Sequence, residues 1–270
     1  MNATFAALLG VAYAQGGGLL KFGGDALLLL YDGDDHAPRA ARATFEMRRT
    51  LRAIGRPRTS AGAIQLKMHA GLHSGRFQFF LVGESHRELL VTGPSATRTV
   101  EMEAASKAGE ILVSTETAAL LDGDAVGEEK GTGRLLQASP GVHGAVEPLP
   151  PIEGISLEVA VPAPLRAQLL EVGPLEGEHR HAAIAFVRFS GTDEVIATEG
   201  VEAAADALEI LVKNVQAAAA EHQVTFLESD VDRDGGRIVL VSGAPQTFGD
   251  DEERMLRTVR AVVDAGLPLP

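Results

Sequence analysis

The stretch from Leu19 to Tyr31, LLKFGGDALLLLY, constrains the chain more than any other part of it. Two apolar runs, Leu19-Leu20-Lys21-Phe22 and Ala26 to Tyr31, meet at Gly23-Gly24-Asp25, and that spacing predicts a tight β-hairpin. The glycines let backbone and any ligand approach Asp25 closely. Its carboxylate therefore either only reverses the chain or also faces a ligand, and turn chemistry alone leaves both readings open.

The segments around it predict an α+β domain. Asn2 to Gln15 is rich in Ala and Leu and stops at Gly16-Gly17-Gly18, as a helix with a glycine C-cap does. Ala37 to Ile54 has helical spacing with Pro38 in its first turn. Ile64 to His73 alternates as a strand, with Ile64, Leu66, Met68 and Ala70 on one face. Phe77 to Val82 and Glu88 to Thr92 read as two more strands around the turn Gly83 to Arg87. Ser95 to Lys107 reads as a helix, Glu110 to Val113 as a strand, and Ser114 to Leu121 as a short helix capped by Ser114 or Thr115.

Lys21, Phe22, Gly23, Gly24 and Asp25 resemble the metal-binding hairpin of class III nucleotidyl cyclases, in particular the tandem, soluble, bicarbonate-responsive adenylyl cyclases. The turn Gly71-Leu72-His73-Ser74-Gly75 is similar to a turn of the same family. The resemblance implies a ferredoxin-like α+β domain, Asp25 as a ligand of Mg or Mn, and Lys21, Phe22 and Gly24 beside a bound nucleotide, ATP or GTP. It implies attack of the ribose 3′-hydroxyl on the α-phosphate, giving a cyclic nucleotide and pyrophosphate. His73 has no second ligand at metal spacing and reads as a turn residue.

Departures from the family pattern accompany the match. Counting from Gly93, the positions of the family's Asn and Arg hold Thr97 and Glu101. The Arg of the bicarbonate site aligns near Val100, with Arg98 two residues away. A second, partial copy of the domain follows about 210 residues after the first. It is predicted as a strand over Ala182 to Phe189, a helix over Ala203 to Glu221, strands at Val224 to Leu227 and Arg237 to Val241 around Gly235-Gly236, and a helix over Asp250 to Asp264. Phe186 to Gly191 resembles the opening strand of a cyclase domain, with Arg188 at the place of its first metal Asp. Glu228 falls where tandem relatives carry a purine-reading Lys. Asp230, Asp232 and Asp234 alternate as in a calcium loop, but Val241 occupies the place of the closing carboxylate.

The expected organisation is therefore a first cyclase-like domain at 1–125 lacking its opening strand, a Pro- and Gly-rich linker at 126–180, and half of a second domain at 181–270. In the linker, Ile155 to Val161 reads as a strand and Leu165 to Leu170 as a helix. The chain reads as truncated at both ends, with Ala182 to Phe189, or a strand of another chain, expected to fill the gap in the first sheet. The pairing of cyclase-like halves would be intramolecular or homodimeric.

Composition narrows the alternatives. The net charge of −13 argues against a nucleic-acid surface. The absence of Cys suits a reducing cytoplasm. No apolar run approaches the roughly 20 residues of a bilayer span, and the start has no signal-peptide pattern. Three readings remain: a portion of a tandem cyclase, a pseudo-cyclase that regulates or dimerises without turnover, and an α+β signalling domain in which Asp25 only turns the chain.

Overall fold

The computed structural model describes residues 2–55, 58–59, 62–141, 154, 156–172 and 179–270. Helix α1 (Asn2–Ala14), the hairpin β1 (Gly18–Gly23) and β2 (Ala26–Leu30), and α2 (His36–Ile54) come first. Two short strands, β3 (Arg58–Thr59) and β4 (Gly62–Ala63), precede β5 (Ala70–Leu72), β6 (Gln78–Val82), β7 (Glu88–Thr92), α3 (Pro94–Ala105), β8 (Ile111–Ser114) and α4 (Thr115–Ala118). Then come β9 (Val126–Lys130), β10 (Gly133–Leu136), α5 (Ala163–Val172), β11 (Ala183–Ser190), α6 (Thr192–Thr198), α7 (Val201–Glu221), β12 (Thr225–Asp232), β13 (Gly235–Ser242) and α8 (Asp251–Asp264). The architecture is α+β, as expected.

The chain forms two units that do not follow its linear order. One comprises Met1–Arg76 and Arg98–Pro151, the other Phe77–Thr97 and Ile152–Pro270. In the first, apolar residues at helical spacing bury one face of α2, and Met47 and Leu51 join Leu8 and Ala12 of α1 over Leu27, Leu29, Leu66 and Met68. A second cluster gathers Ala41, Leu72, Ile111, Val113, Ala125 and Leu136 around the sheet β5-β8-β10-β9. Strand β5 runs parallel to β8, while β8, β10 and β9 pair antiparallel. Gly71 lies so close to the α3 backbone at Met102 and Glu103 that a methyl group there would overlap it.

The second unit is a three-stranded sheet, β11-β13-β12, with α7 and α8 over one face. Strand β11 pairs with β13 through eight consecutive residues without a bulge. Phe189, Phe226, Ile238 and Leu240 project from the sheet into a core with Leu208, Leu211, Val212 and Val215 of α7 and Met255 of α8. Each such side chain contributes about 1.5–3 kcal/mol by leaving water. The hairpin β6–β7 belongs here as well, and its inner face adds Phe80, Val82 and Leu90 to the same core.

Several expectations are corrected. Of Ile64 to His73 only Ala70–Leu72 forms a ladder, because only those residues meet a partner strand. Leu66 and Met68 still alternate inward, and Ile64 is exposed. The supposed linker contains the antiparallel pair β9–β10, completing the first unit's sheet. Leu157–Ala160 is a 3-10 turn instead of a strand, and Ile155 lies outside the described residues. Gly235 and Gly236 belong to β13, and Arg233 and Asp234 make the turn. Among the described residues β11 pairs only with β13, so it does not fill a place in the first sheet.

Replacing Gly71 with Ala is expected to cost about 3 kcal/mol, because backbone and not a movable side chain occupies the space. Urea unfolding of the variant against the wild type measures it.

Candidate functional site

The β1–β2 hairpin closes with Gly23 opposite Ala26, leaving Gly24 and Asp25 as the two turn residues. Gly24 takes φ +66°, which costs glycine nothing. Asp25 is exposed at the tip. Lys21 is half-buried, and Phe22 packs its ring edge-on against Phe5 of α1, centroids 4.7 Å apart.

Arg39, a residue that no motif or spacing singles out, fixes the base of this hairpin. Its side chain is buried, its Nε donates to Asp35 at 2.8 Å, and its Nη1 donates to the carbonyl of Gln15 at 3.1 Å. Its Nη2 donates to the carbonyl of Asp32. One guanidinium thus ties the chain entering β1 to the chain leaving β2. Beside it Tyr31 packs against Gly17, where a Cβ would come within 2.5 Å of the ring. Burial pushes the Tyr31 hydroxyl well above its usual range against the opposing pull of Arg39.

The donors among the described residues do not complete a site for Mg or Mn. Among the described residues no three His, Asp or Glu side chains group as metal ligands. Asp25 alone is far short of the oxygen shell such an ion needs.

His73 is a turn residue, as its spacing suggested. Its Nδ1 lies 2.9 Å from Ser114 Oγ, and that oxygen also accepts the amide of Thr117 at 3.2 Å, capping α4. Thr117 Oγ1 donates in turn to Ser74 Oγ at 3.1 Å. Burial pushes the imidazole below its ordinary value of 6.5, with Glu116 opposing and Arg98 assisting.

Thr97, Glu101 and Arg188, which the resemblance set at catalytic places, are engaged internally. Arg98 donates to Glu101 at 3.3 Å and to Thr132 Oγ1 at 2.7 Å, which ties α3 to the β9–β10 turn. Thr97 Oγ1 accepts the amide of Asp234 at 2.8 Å. Thr92 Oγ1 meets Thr192 Oγ1 at 2.6 Å in full burial. Arg188 pairs with Asp232 at 3.1 Å, and Arg237 with Asp230 at 2.6 Å. Asp234, at φ +57°, accepts the amides of Gly191 at 3.1 Å and Asp193 at 2.9 Å. The alternating aspartates are therefore spent on arginines and amides along a hairpin, which is not a calcium loop.

The two hairpins share a register marker. Each has a bulge in its first strand, between Leu19 and Lys21 in one and between Phe226 and Glu228 in the other. Counted from the bulge, Glu228 takes the place of Lys21. Beyond it, the second hairpin is longer before its turn, and counted from the turn the place falls to Asp230. Both counts put a carboxylate where the first hairpin has an ammonium.

Residues 8–135 match the family described as adenylate and guanylate cyclase catalytic domain. The match spans 128 of the 270 residues, a little under half of the chain. Among solved structures it is similar to the guanylyl cyclase Cya2, at 23% identity over 50% of this chain and 76% of that one, with a TM-score of 0.43. It is also similar to the guanylate cyclase domain of RhGC from Catenaria anguillulae in complex with GTP, at 24% identity over 50% and 77%, TM-score 0.40. A third is the adenylyl cyclase CyaB from P. aeruginosa, at 21% identity over 51% and 80%, TM-score 0.41. No curated protein matches the chain. Among the described residues no helix is long and apolar enough to cross a membrane.

The lowered value of His73 carries a sign. The unfolded chain binds more protons below pH 6.5 than the folded one, so this residue's contribution is complete above 6.5 and is lost as pH falls. Stability measured by urea unfolding between pH 7.5 and 5 is expected to fall less steeply in His73→Asn than in the wild type.

Proposed function

We propose that the chain is a cyclase-like module of cyclic-nucleotide signalling that does not turn over on its own. The observation that carries this reading is Arg188. It stands at the place the resemblance gives to the first metal carboxylate, and its charge is already matched by Asp232 at 3.1 Å. A guanidinium there repels a divalent ion. Thr97 and Glu101 support the reading, since a hydroxyl and a carboxylate replace an amide and a cation. An acidic side chain cannot neutralise phosphate charge in a transition state.

The first hairpin keeps the elements of the nucleotide-facing wall. Asp25 would offer a carboxylate to a metal ion, with Lys21, Phe22 and Gly24 beside the nucleotide, ATP or GTP. Paired with a second cyclase half, in the same chain or in another copy, this hairpin would supply one side of a composite centre. The other half would bring the missing carboxylate, the Asn and the Arg.

Incubating the chain with manganese and ATP or GTP is expected to give no cyclic nucleotide above background. Fused to a cyclase half that supplies those missing groups, it is expected to become active. Asp25→Asn in the fusion should then lower the rate on the order of 100-fold. Product from the isolated chain would overturn the proposal.

A further inference from the structure

Strand β11 lies at the edge of its sheet. It pairs with β13 from Ala183 to Ser190 and, among the described residues, with no strand on its other side. One hydrogen bond tells which backbone groups face that open side: the amide of Ser190 donates to the carbonyl of Pro270 at 2.9 Å, and so not to β13. Peptide groups alternate in direction along an extended strand, so Ile184, Phe186 and Arg188 turn their N–H and C=O outward as well. Those groups have no ladder partner among the described residues.

The side chains of the same three residues stand on the sheet face that α7 and α8 leave open. Ile184 is 58% exposed and Phe186 65%, while Ala185 and Val187 between and beyond them pack against the core. Register sets Phe186 beside Val239 and Ile184 beside Val241, so an apolar strip runs across the open face up to the edge. The arginines at its end bring no unmatched charge. Arg188 pairs with Asp232 at 3.1 Å, and Arg237 pairs with Asp230 at 2.6 Å while its guanidinium lies 5.9 Å from the centre of the Phe186 ring. Folded proteins blunt a long open edge with lysine, proline or a bulge, since it otherwise templates pairing with another chain. None of these occurs in the eight residues of β11.

We propose that β11 is a self-association edge, which pairs antiparallel with the same strand of a second copy across a twofold axis through Phe186. The open span, Ile184 to Arg188, is symmetric about that residue, as a twofold contact requires. Beyond it the Ser190 amide is already taken by Pro270. In this register Ile184 faces the partner's Arg188, which keeps the two guanidinium groups apart. Phe186 meets the partner's Phe186, and the two apolar strips become one. With both arginines matched internally, the edge offers an acidic or basic peptide no net charge to recognise, whereas a second copy answers it group for group.

One strand from each copy buries less than the roughly 1,200 Å² of a standard interface, so the dimer forms in a concentration-dependent way. The contact involves no residue of the Asp25 hairpin and holds whether or not the chain binds a nucleotide.

Sedimentation equilibrium of the full chain from about 5 μM to about 1 mM is expected to show the mass rising from one chain towards two. Hydrogen exchange read by NMR over the same range locates the contact. The amides of Ile184, Phe186 and Arg188 are expected to slow on the order of fivefold at the high end. Those of Ala185 and Val187, already in the ladder with β13, are expected to keep their rates. Phe186→Lys puts a charge on the axis at an exposed position and is expected to abolish both effects. Leu81→Lys, at another exposed apolar side chain, is expected to keep them. The exchange pattern of the wild type decides even if a variant does not fold. A chain that stays monomeric throughout or assembles beyond two copies would overturn the proposal. So would a dimer that leaves those three amides unprotected, survives Phe186→Lys, or is lost equally in Leu81→Lys.

Discussion

A loop that enters an apolar core must find partners for its backbone, and Gln216 provides them for the tip of β6–β7. A leucine at that point of α7 would pack against its neighbours but would leave the amides of Glu84 and Ser85, both in exposed residues, to pair with water. With the amide present, Phe80, Val82 and Leu90 join the core of α7, β12 and β13. Residues 77–97 consequently belong to the same unit as the sheet that begins at β11, although more than half of the described chain between them folds elsewhere.

The same accounting describes the polar side chains of the second hairpin. In an active arrangement the polar side chains must keep lone pairs and protons for the ligand. Here Arg188, Arg237, Asp230 and Asp234 have been drawn into pairs with one another or with backbone amides. Thr97 holds the turn that presents Asp234. Together these residues stabilise a long hairpin and the loop leading into α6. Against this, Asp25 stands exposed at its tip, on a hairpin whose base Arg39 clamps.

Much of the fold was legible because periodicity and glycine placement are local signals. The helices α1, α2, α3, α7 and α8 and the hairpins β1–β2 and β6–β7 begin and end within a residue or two of where capping and alternation put them. The readings that failed were those needing a partner. Ile64 to Lys67 alternates like a strand but meets no neighbour, and Val126 to Leu136 looks like a linker until β8 provides one. The charged residues of β12 resembled an ion loop because sequence shows their spacing and not the arginines opposite them on β11 and β13.

By itself the sequence determined the likeness of residues 8–135 to cyclase catalytic domains and the hairpin that carries Asp25. Those depend on residue identity at short separations, which the chain states directly. Only the tertiary structure decided that β11 belongs to β13, that Arg39 closes the first hairpin, and that Gln216 holds the loop after β6. Each of those is a contact between groups far apart in the chain, chosen because burial leaves a polar atom no water and therefore one satisfactory partner.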